Sequence, residues 1–167
     1  ATAIAAAEAG ETITLNEDVT LSSKVVIDEK ITLDLHGFDI TGSDQYVLEF
    51  NAKDTDFTLT DSTATAGTIT GAQRGILVTA GTLTLDKVTV TSVDRTIQIN
   101  PLADGAAAKV IMEGGKVEST GTNATRTIML WGNNIAGNAS LVVNGGEIIA
   151  PISSDNSAAI NLGSANA

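Results

Sequence analysis

The feature that most limits what this chain can fold into is a recurring triplet of short strand signals. Apolar and polar residues alternate in brief runs, as in Ile13-Thr14-Leu15, Val19-Thr20-Leu21, Val25-Val26-Ile27 and Ile31-Thr32-Leu33-Asp34-Leu35. A period of two places one set of side chains on a single face, the pattern of a half-buried strand. Thr, Val and Ile fill most of these positions, and β-branched side chains suit a pleated surface. Helical spacing is nearly absent; only the Ala-rich stretch 1–9 could form a short helix.

The runs keep a fixed order. A first signal ends in Leu35, Leu59, Leu85, Met112 and Val143, and a second centres on Ile40, Ile69, Val90, Val117 and Ile148. A third carries the pairs Leu48/Phe50, Ile76/Val78, Ile97/Ile99, Ile128/Leu130 and Ile160/Leu162. Successive third signals lie 28, 21, 31 and 32 residues apart. The step from first to second signal is 5 residues in four of the five repeats, and the Leu59 repeat is longer by residues 62–66. A hairpin meander has no reason to hold such an order. A chain wound as a parallel coil does, because each strand stacks on its counterpart about 4.8 Å above, and insertions leave at the corners. Corners need residues that bend tightly, and Gly37, Gly42, Gly71, Gly114, Gly115, Asn144, Gly145 and Gly146 fall there. An antiparallel sandwich also suits many short strands; the repeated interval and the paired third column favour the coil. With residues 11–30 read as one further turn, the expected fold is all-β: a right-handed parallel β-helix of about six three-stranded turns. Residues 1–10 are expected to be an N-terminal cap or linker, with a short cap helix, and residues 11–167 the β-helix domain.

Composition narrows the function classes. The 167 residues amount to one domain. Nine basic against 20 acidic residues leave a net charge of −11, which repels phosphate and argues against nucleic acid as a partner. There is no Cys, so no disulfide and no thiolate chemistry. No apolar run approaches the ~18 residues that would span a membrane as a helix, so membrane insertion is not expected. Nor does a signal peptide stand out, and the chain opens on Ala1 rather than Met, as a processed or excised chain would.

Residues 31–42, ITLDLHGFDITG, and 58–71, TLTDSTATAGTITG, resemble the right-handed, pectin-lyase-like β-helix repeats of bacterial surface proteins and phage structural proteins. The pattern continues through Thr82-Leu83-Thr84-Leu85-Asp86, Met112-Glu113-Gly114-Gly115-Lys116-Val117 and Val143-Asn144-Gly145-Gly146-Glu147-Ile148, and covers about residues 11–163. The resemblance is specific for architecture. It leaves activity open, because the same fold carries polysaccharide lyases, hydrolases, adhesins, tailspikes and inert spacers. It implies that in pectate-lyase-like members an Arg serves as base while Asp residues hold Ca²⁺; no matching Asp cluster can be placed here.

Few residues offer chemistry. His36 is the only His, so a His/Cys zinc set cannot be assembled. It follows Leu35 as Asp86 follows Leu85 and Glu113 follows Met112, which reads as a solvated corner, and no Ser-His-Asp set is expected. Asp86 and Glu113 should then be neighbours on adjacent turns, a spacing that suits retaining glycoside hydrolysis or a hard cation. The plainer expectation is two exposed acids relieved by Lys87 and Lys116. Arg74, Arg95 and Arg126 each precede a third-strand Ile by two residues, with Tyr46 and Ala158 at the flanking positions, and so should stack along one corner. Like charges at that spacing need anions; Asp94 is adjacent, and Asp44 and Asp155 fall in equivalent corners. These arginines and Trp131 are the candidate ligand-binding residues. No catalytic residue, metal site or cofactor is expected. Asn123 and Asn138 begin glycosylation-type triplets.

The expected function is a non-enzymatic structural or surface-exposed module: a virion component (decoration, fibre or spike) or a bacterial surface adhesin domain, outside the cell. The alternative is a carbohydrate-binding or polysaccharide-cleaving β-helix using an Arg/Asp groove; a Ca²⁺-stabilised module is a third. Expected partners are proteins, through self-association or a larger surface assembly, with glycans as the alternative. A coil exposes open strand edges at both ends. Residues 1–9 could cover one, whereas residues 161–167 show no cap and are expected to dock on another chain or another copy.

Overall fold

The computed structural model describes residues 2–102, 106–122, 126–132, 138–150 and 157–164. Within these the chain forms a single turn of helix, α1 (Thr2–Ala5), and then only strands. The strands are β1 (Thr12–Thr14), β2 (Val19–Leu21), β3 (Val25–Ile27), β4 (Thr32–Asp34), β5 (Ile40–Gly42) and β6 (Leu48–Thr60). They continue as β7 (Thr68–Gly71), β8 (Ile76–Asp86), β9 (Thr89–Ser92), β10 (Ile97–Ile99) and β11 (Ala107–Met112). The last are β12 (Lys116–Ser119), β13 (Arg126–Gly132), β14 (Asn138–Val143), β15 (Glu147–Ile149) and β16 (Ala158–Ser164).

Every recorded strand pairing is parallel, and partners are one repeat apart rather than adjacent in sequence. That is the signature of a wound chain, since sequence neighbours joined by tight turns would pair antiparallel. The fold is a parallel β-helix. One sheet runs in the order β2-β5-β7-β9-β12-β15. Its central column is Val19-Ile40-Ile69-Val90-Val117-Ile148, each residue in register with the next. A second column, Val25-Leu48-Ile76-Ile97-Ile128-Ile160, runs with Ile27-Phe50-Val78-Ile99-Leu130-Leu162 through β3, β6, β8, β10, β13 and β16. The third joins Ile13, Leu33, Leu59, Leu85, Met112 and Val143. β6 and β8 each pass from one face to the next without a break. In β6 the passage is an irregularity between Phe50 and Asp56, and there the Phe50 and Phe57 rings meet inside the coil at 5.1 Å, tilted by 57°.

These columns are the core. Leu33, Leu59, Ile69, Leu83, Val90, Ile97 and Val110 are all fully buried, or within 1% of it. Each such side chain contributes roughly 1.5–3 kcal/mol by leaving water. Outward columns are rich in threonine: Thr12-Thr32-Thr58-Thr84 stand in register on one face and Thr20-Thr41-Thr70-Thr91 on another. Ile4, in α1, and Ala7, just after it, pack onto the core at the N-terminal end.

The register corrects one sequence alignment. Leu33, not Leu35, lies beside Leu59, so the step from first to second strand in that repeat is 7 residues, from Leu33 to Ile40. Ile31, Leu33 and Leu35 are all buried, and a period of two cannot say which of three equally spaced apolar residues is the in-register one. Two of the expected corner glycines, Gly42 and Gly71, are the last residues of β5 and β7, where the chain enters its corners. They are needed for close approach: a Cβ on Gly71 would stand 2.0 Å from the Arg74 carbonyl oxygen.

Candidate functional site

The strand register brings the three arginines to one edge, where Arg74 and Arg95 lie on either side of Asp94, although Asp94 Oδ1 and Arg95 Nε are buried without a hydrogen-bond partner among the described residues. Arg126 is in register with Ala158, and Ile76, Ile97 and Ile128 stack in turn, which brings Arg74, Arg95 and Arg126 to one edge. Arg74 Nη1 donates to Tyr46 Oη at 3.0 Å, and its guanidinium carbon lies 5.2 Å from the Tyr46 ring centroid. The Tyr46 hydroxyl in turn donates to Gln98 Oε1 at 2.6 Å, inside the protein and across 52 residues of sequence. Asp94 Oδ2 is 3.5 Å from Arg95 Nε and 4.0 Å from Arg74 Nε. Asp94 thus supplies the anion that two stacked guanidinium groups require. Arg95 itself holds a left-handed backbone, φ 47°, a conformation that costs a non-glycine residue about 1 kcal/mol or more. The bend places it against Asp94. Asp44, the acid of the equivalent earlier corner, accepts from the Lys24 and Gln45 N–H groups at 3.0 and 2.7 Å, which holds its carboxyl below the usual range. Asp155 lies outside the described residues.

Another polar cluster was not foreseen. It sits where residues 62–66 loop out. Asp61, with no exposed surface, accepts from four donors: the N–H groups of Gly37 (2.9 Å), Thr63 (2.8 Å) and Gly67 (2.8 Å), and the Thr63 hydroxyl (2.5 Å). Each oxygen takes two, so all four lone-pair positions of the carboxylate are filled. Burial pushes the carboxyl up, but the four bonds outweigh it and hold it down at about 2. One level below, Asp34 accepts from the N–H groups of His36 and Ser62, both at 2.9 Å. Burial and the nearby Asp61 raise it, and the bonds from Ser62 and His36 bring it below the ordinary value. A sequence signal for this clasp exists: Asp61-Ser62-Thr63 is an acid followed by hydroxyl residues, an Asx-turn composition.

Here His36 meets Ser62, with Nδ1 3.0 Å from Oγ. An Asp, a Ser and a His in contact invite a nucleophile reading, and the geometry opposes it. An activated serine needs an acid that orients the His ring, whereas Asp34 accepts from the His36 backbone N–H rather than from the imidazole. His36 also leaves the column assigned to it: Asp34, Thr60 and Asp86 are the register partners.

Asp86 and Glu113 follow the paired residues Leu85 and Met112, and so occupy consecutive levels as expected. Glu113 Oε1 accepts from Asn144 Nδ2 of the next level at 3.0 Å. Lys116, expected to relieve the two acids, pairs instead with Glu118 at 2.6 Å. No group of three or more His, Cys, Asp or Glu side chains is placed to hold a metal ion among the described residues. Trp131 lies within β13 rather than at a corner, in register with Gly163. A Cβ on Gly163 would stand 2.8 Å from the indole ring, so the ring packs over glycine backbone of the next level. Asn138 begins β14, and Asn123 lies outside the described residues. No family model, no curated protein and no solved structure matches this chain.

Proposed function

We propose that the chain is a non-enzymatic structural module of an exterior assembly, a virion component or a domain of a bacterial surface adhesin. Its task in this reading is mechanical: stacked levels make a stiff, acidic spacer, and net charge keeps copies apart except at particular contacts. The observation that carries the reading is the direction in which the polar corner groups point. Arg74 is bound to Tyr46 and paired with Asp94, His36 to Ser62, and Asp61 to three segments of backbone. Each of these bonds ties one level to another or closes a corner, which is what a spacer needs and what a substrate groove would leave open. The resemblance of residues 31–42 and 58–71 to surface and virion β-helix repeats supports the exterior location.

A glycan array probed with the full chain and with Arg95→Ala tests this against the carbohydrate reading. The expected result is no saturable binding by either protein, with a limited-proteolysis half-life for both far longer than that of an unfolded control. Binding to acidic glycans that disappears in Arg95→Ala would overturn the proposal in favour of a carbohydrate-binding groove along the arginine corner. Release of unsaturated or reducing ends from an acidic polysaccharide would overturn it in favour of an enzyme.

A further inference from the structure

We propose that Asn144 is a latent modification site: the Asn144–Gly145 peptide deamidates through a cyclic imide once its corner opens, and the level beneath holds it unreacted while the coil is wound. The proposal goes beyond the structural reading above and does not depend on it. Asn144 is the only Asn in the chain followed by Gly, and glycine lacks the Cβ that would hinder its own nitrogen from turning onto the neighbouring side chain. The packing requires glycine here. The corner between β14 and β15 lies directly on the preceding corner, so a Cβ on Gly145 would stand 2.6 Å from the Glu113 carbonyl oxygen, and one on Gly146 would stand 2.6 Å from that of Gly115. Gly146 also holds a left-handed φ of 91°. The fold thus demands a chemically labile dipeptide at this position.

The chemistry exchanges ammonia for water and needs no other reactant. The Gly145 nitrogen gives its proton to solvent and attacks Asn144 Cγ. The N–Cγ bond forms, the Cγ–Nδ2 bond breaks, and Nδ2 leaves as ammonia. Water then opens the ring at either carbonyl, leaving a carboxylate and either the original main chain or an isoaspartyl link routed through Cγ. The wound structure opposes each move. The Gly145 N–H donates to the Met112 carbonyl oxygen at 3.2 Å, beside the Asn144 N–H at 2.9 Å, and the Glu147 N–H donates to that of Gly115 at 3.0 Å. The departing group is held too. Asn144 Nδ2 donates to Glu113 Oε1 at 3.0 Å, and a carboxylate, which only accepts, fixes which end of the amide faces it. Reaction therefore needs the corner to lift off Met112 and Glu113, a local opening of the coil. The product does not settle back into the same contacts. It sets a second carboxylate against Glu113, and the isoaspartyl form lengthens a corner fitted to the one beneath.

Peptide mapping by mass spectrometry, with the full chain incubated in mildly alkaline buffer, tests the proposal. Wild type unfolded in urea is expected to accumulate aspartyl and isoaspartyl forms at position 144 at least tenfold faster than folded wild type. Glu113→Ala removes the acceptor of Nδ2 from an exposed position and is expected to keep the wild-type circular dichroism. Folded, it should convert at least threefold faster than folded wild type; in urea the two should convert at the same rate. Lys116→Ala breaks a contact of the same level that does not involve Asn144, the pair with Glu118, and is expected to leave the folded rate unchanged. No conversion in urea overturns the proposal, and so does a folded wild type that converts as fast as the unfolded one. Folded Glu113→Ala no faster than wild type, or Lys116→Ala accelerated as much as Glu113→Ala, overturns it as well.

Discussion

Asp61 offers the sharpest test of how the corners hold this coil together. It is fully buried, and its carboxylate accepts four hydrogen bonds from Gly37, Thr63 and Gly67. In Asp61→Asn one oxygen becomes an NH₂ group, which must face either two donors around Oδ2, the Gly37 and Gly67 N–H groups, or the two from Thr63. Either way two donors lose their acceptor at a buried carboxyl, though only the Gly67 N–H is itself buried, and at roughly 1–3 kcal/mol for each unsatisfied group the loss is about 3 kcal/mol. For a domain of this length that lowers the melting temperature by about 6–12 °C. The pH dependence gives an independent measure. The carboxyl stands at 3.8 unfolded and about 2 folded. Because the folded value is depressed, the group's stabilisation is complete above about pH 4 and is lost as pH falls toward 2 and below. A depression from 3.8 to about 2 is worth about 2 kcal/mol through linkage. Asp34 and Asp44 are depressed too and bend the wild-type curve in the same direction, so the Asn variant is the needed reference. Urea denaturation of both proteins from pH 7 to pH 2 should show the variant less stable at pH 7 and its curve flatter by about 2 kcal/mol. Parallel curves, or a pH 7 loss below about 1 kcal/mol, would refute the reasoning.

Three further outcomes follow from the same contacts. Leu83→Ala, in the middle of a buried column, should lose about 2–5 kcal/mol in urea denaturation, while Leu162→Ala, at an exposed position of β16, stays within about 0.5 kcal/mol. Tyr46→Phe removes the hydroxyl between Arg74 and Gln98 and should lower stability by about 1–2 kcal/mol, read as a fall in melting temperature without loss of β-sheet circular dichroism. Gly67→Ala would put a Cβ 2.0 Å from the Phe38 carbonyl oxygen and should lower the urea midpoint clearly; an unchanged midpoint would mean that the loop and the Phe38 corner do not touch.

The columns were legible because like residues recur at matching places. Ile40, Ile69, Val90, Val117 and Ile148 announce themselves as one column before any coordinates, and the structure puts them in register. The Leu35 assignment failed where that signal thins: Ile31, Leu33 and Leu35 alternate evenly, and only the Leu33–Leu59 pairing decides between them. The arginine corner could be seen because it hangs at a fixed offset from a legible column. What binds it could not. Tyr46 reaches Gln98 across 52 residues, past the level between, and no local spacing encodes a side chain that skips a level. The Asp34, Ser62 and Asp61 clasp was hidden for a related reason. Residues 62–66 read as an insertion to be set aside, although the insertion is held by a buried acid that gathers Gly37, Thr63 and Gly67. Trp131, a ligand-binding candidate in the sequence, lies in β13, which runs on to Gly132.

Everything depends on one level lying on the next in the stated register, and cysteine pairs test that directly in a chain that has no cysteine of its own. Thr70 and Thr91 are register partners on the outer face, with hydroxyl oxygens 3.3 Å apart. Thr41 and Thr91 are two levels apart, about 9.6 Å at the inter-strand spacing, beyond the reach of a disulfide. Under mild oxidation Thr70→Cys/Thr91→Cys is expected to close an intramolecular disulfide in nearly every molecule, and Thr41→Cys/Thr91→Cys is expected to stay reduced. An open first pair, or a second pair that closes as readily, would contradict the stacked coil.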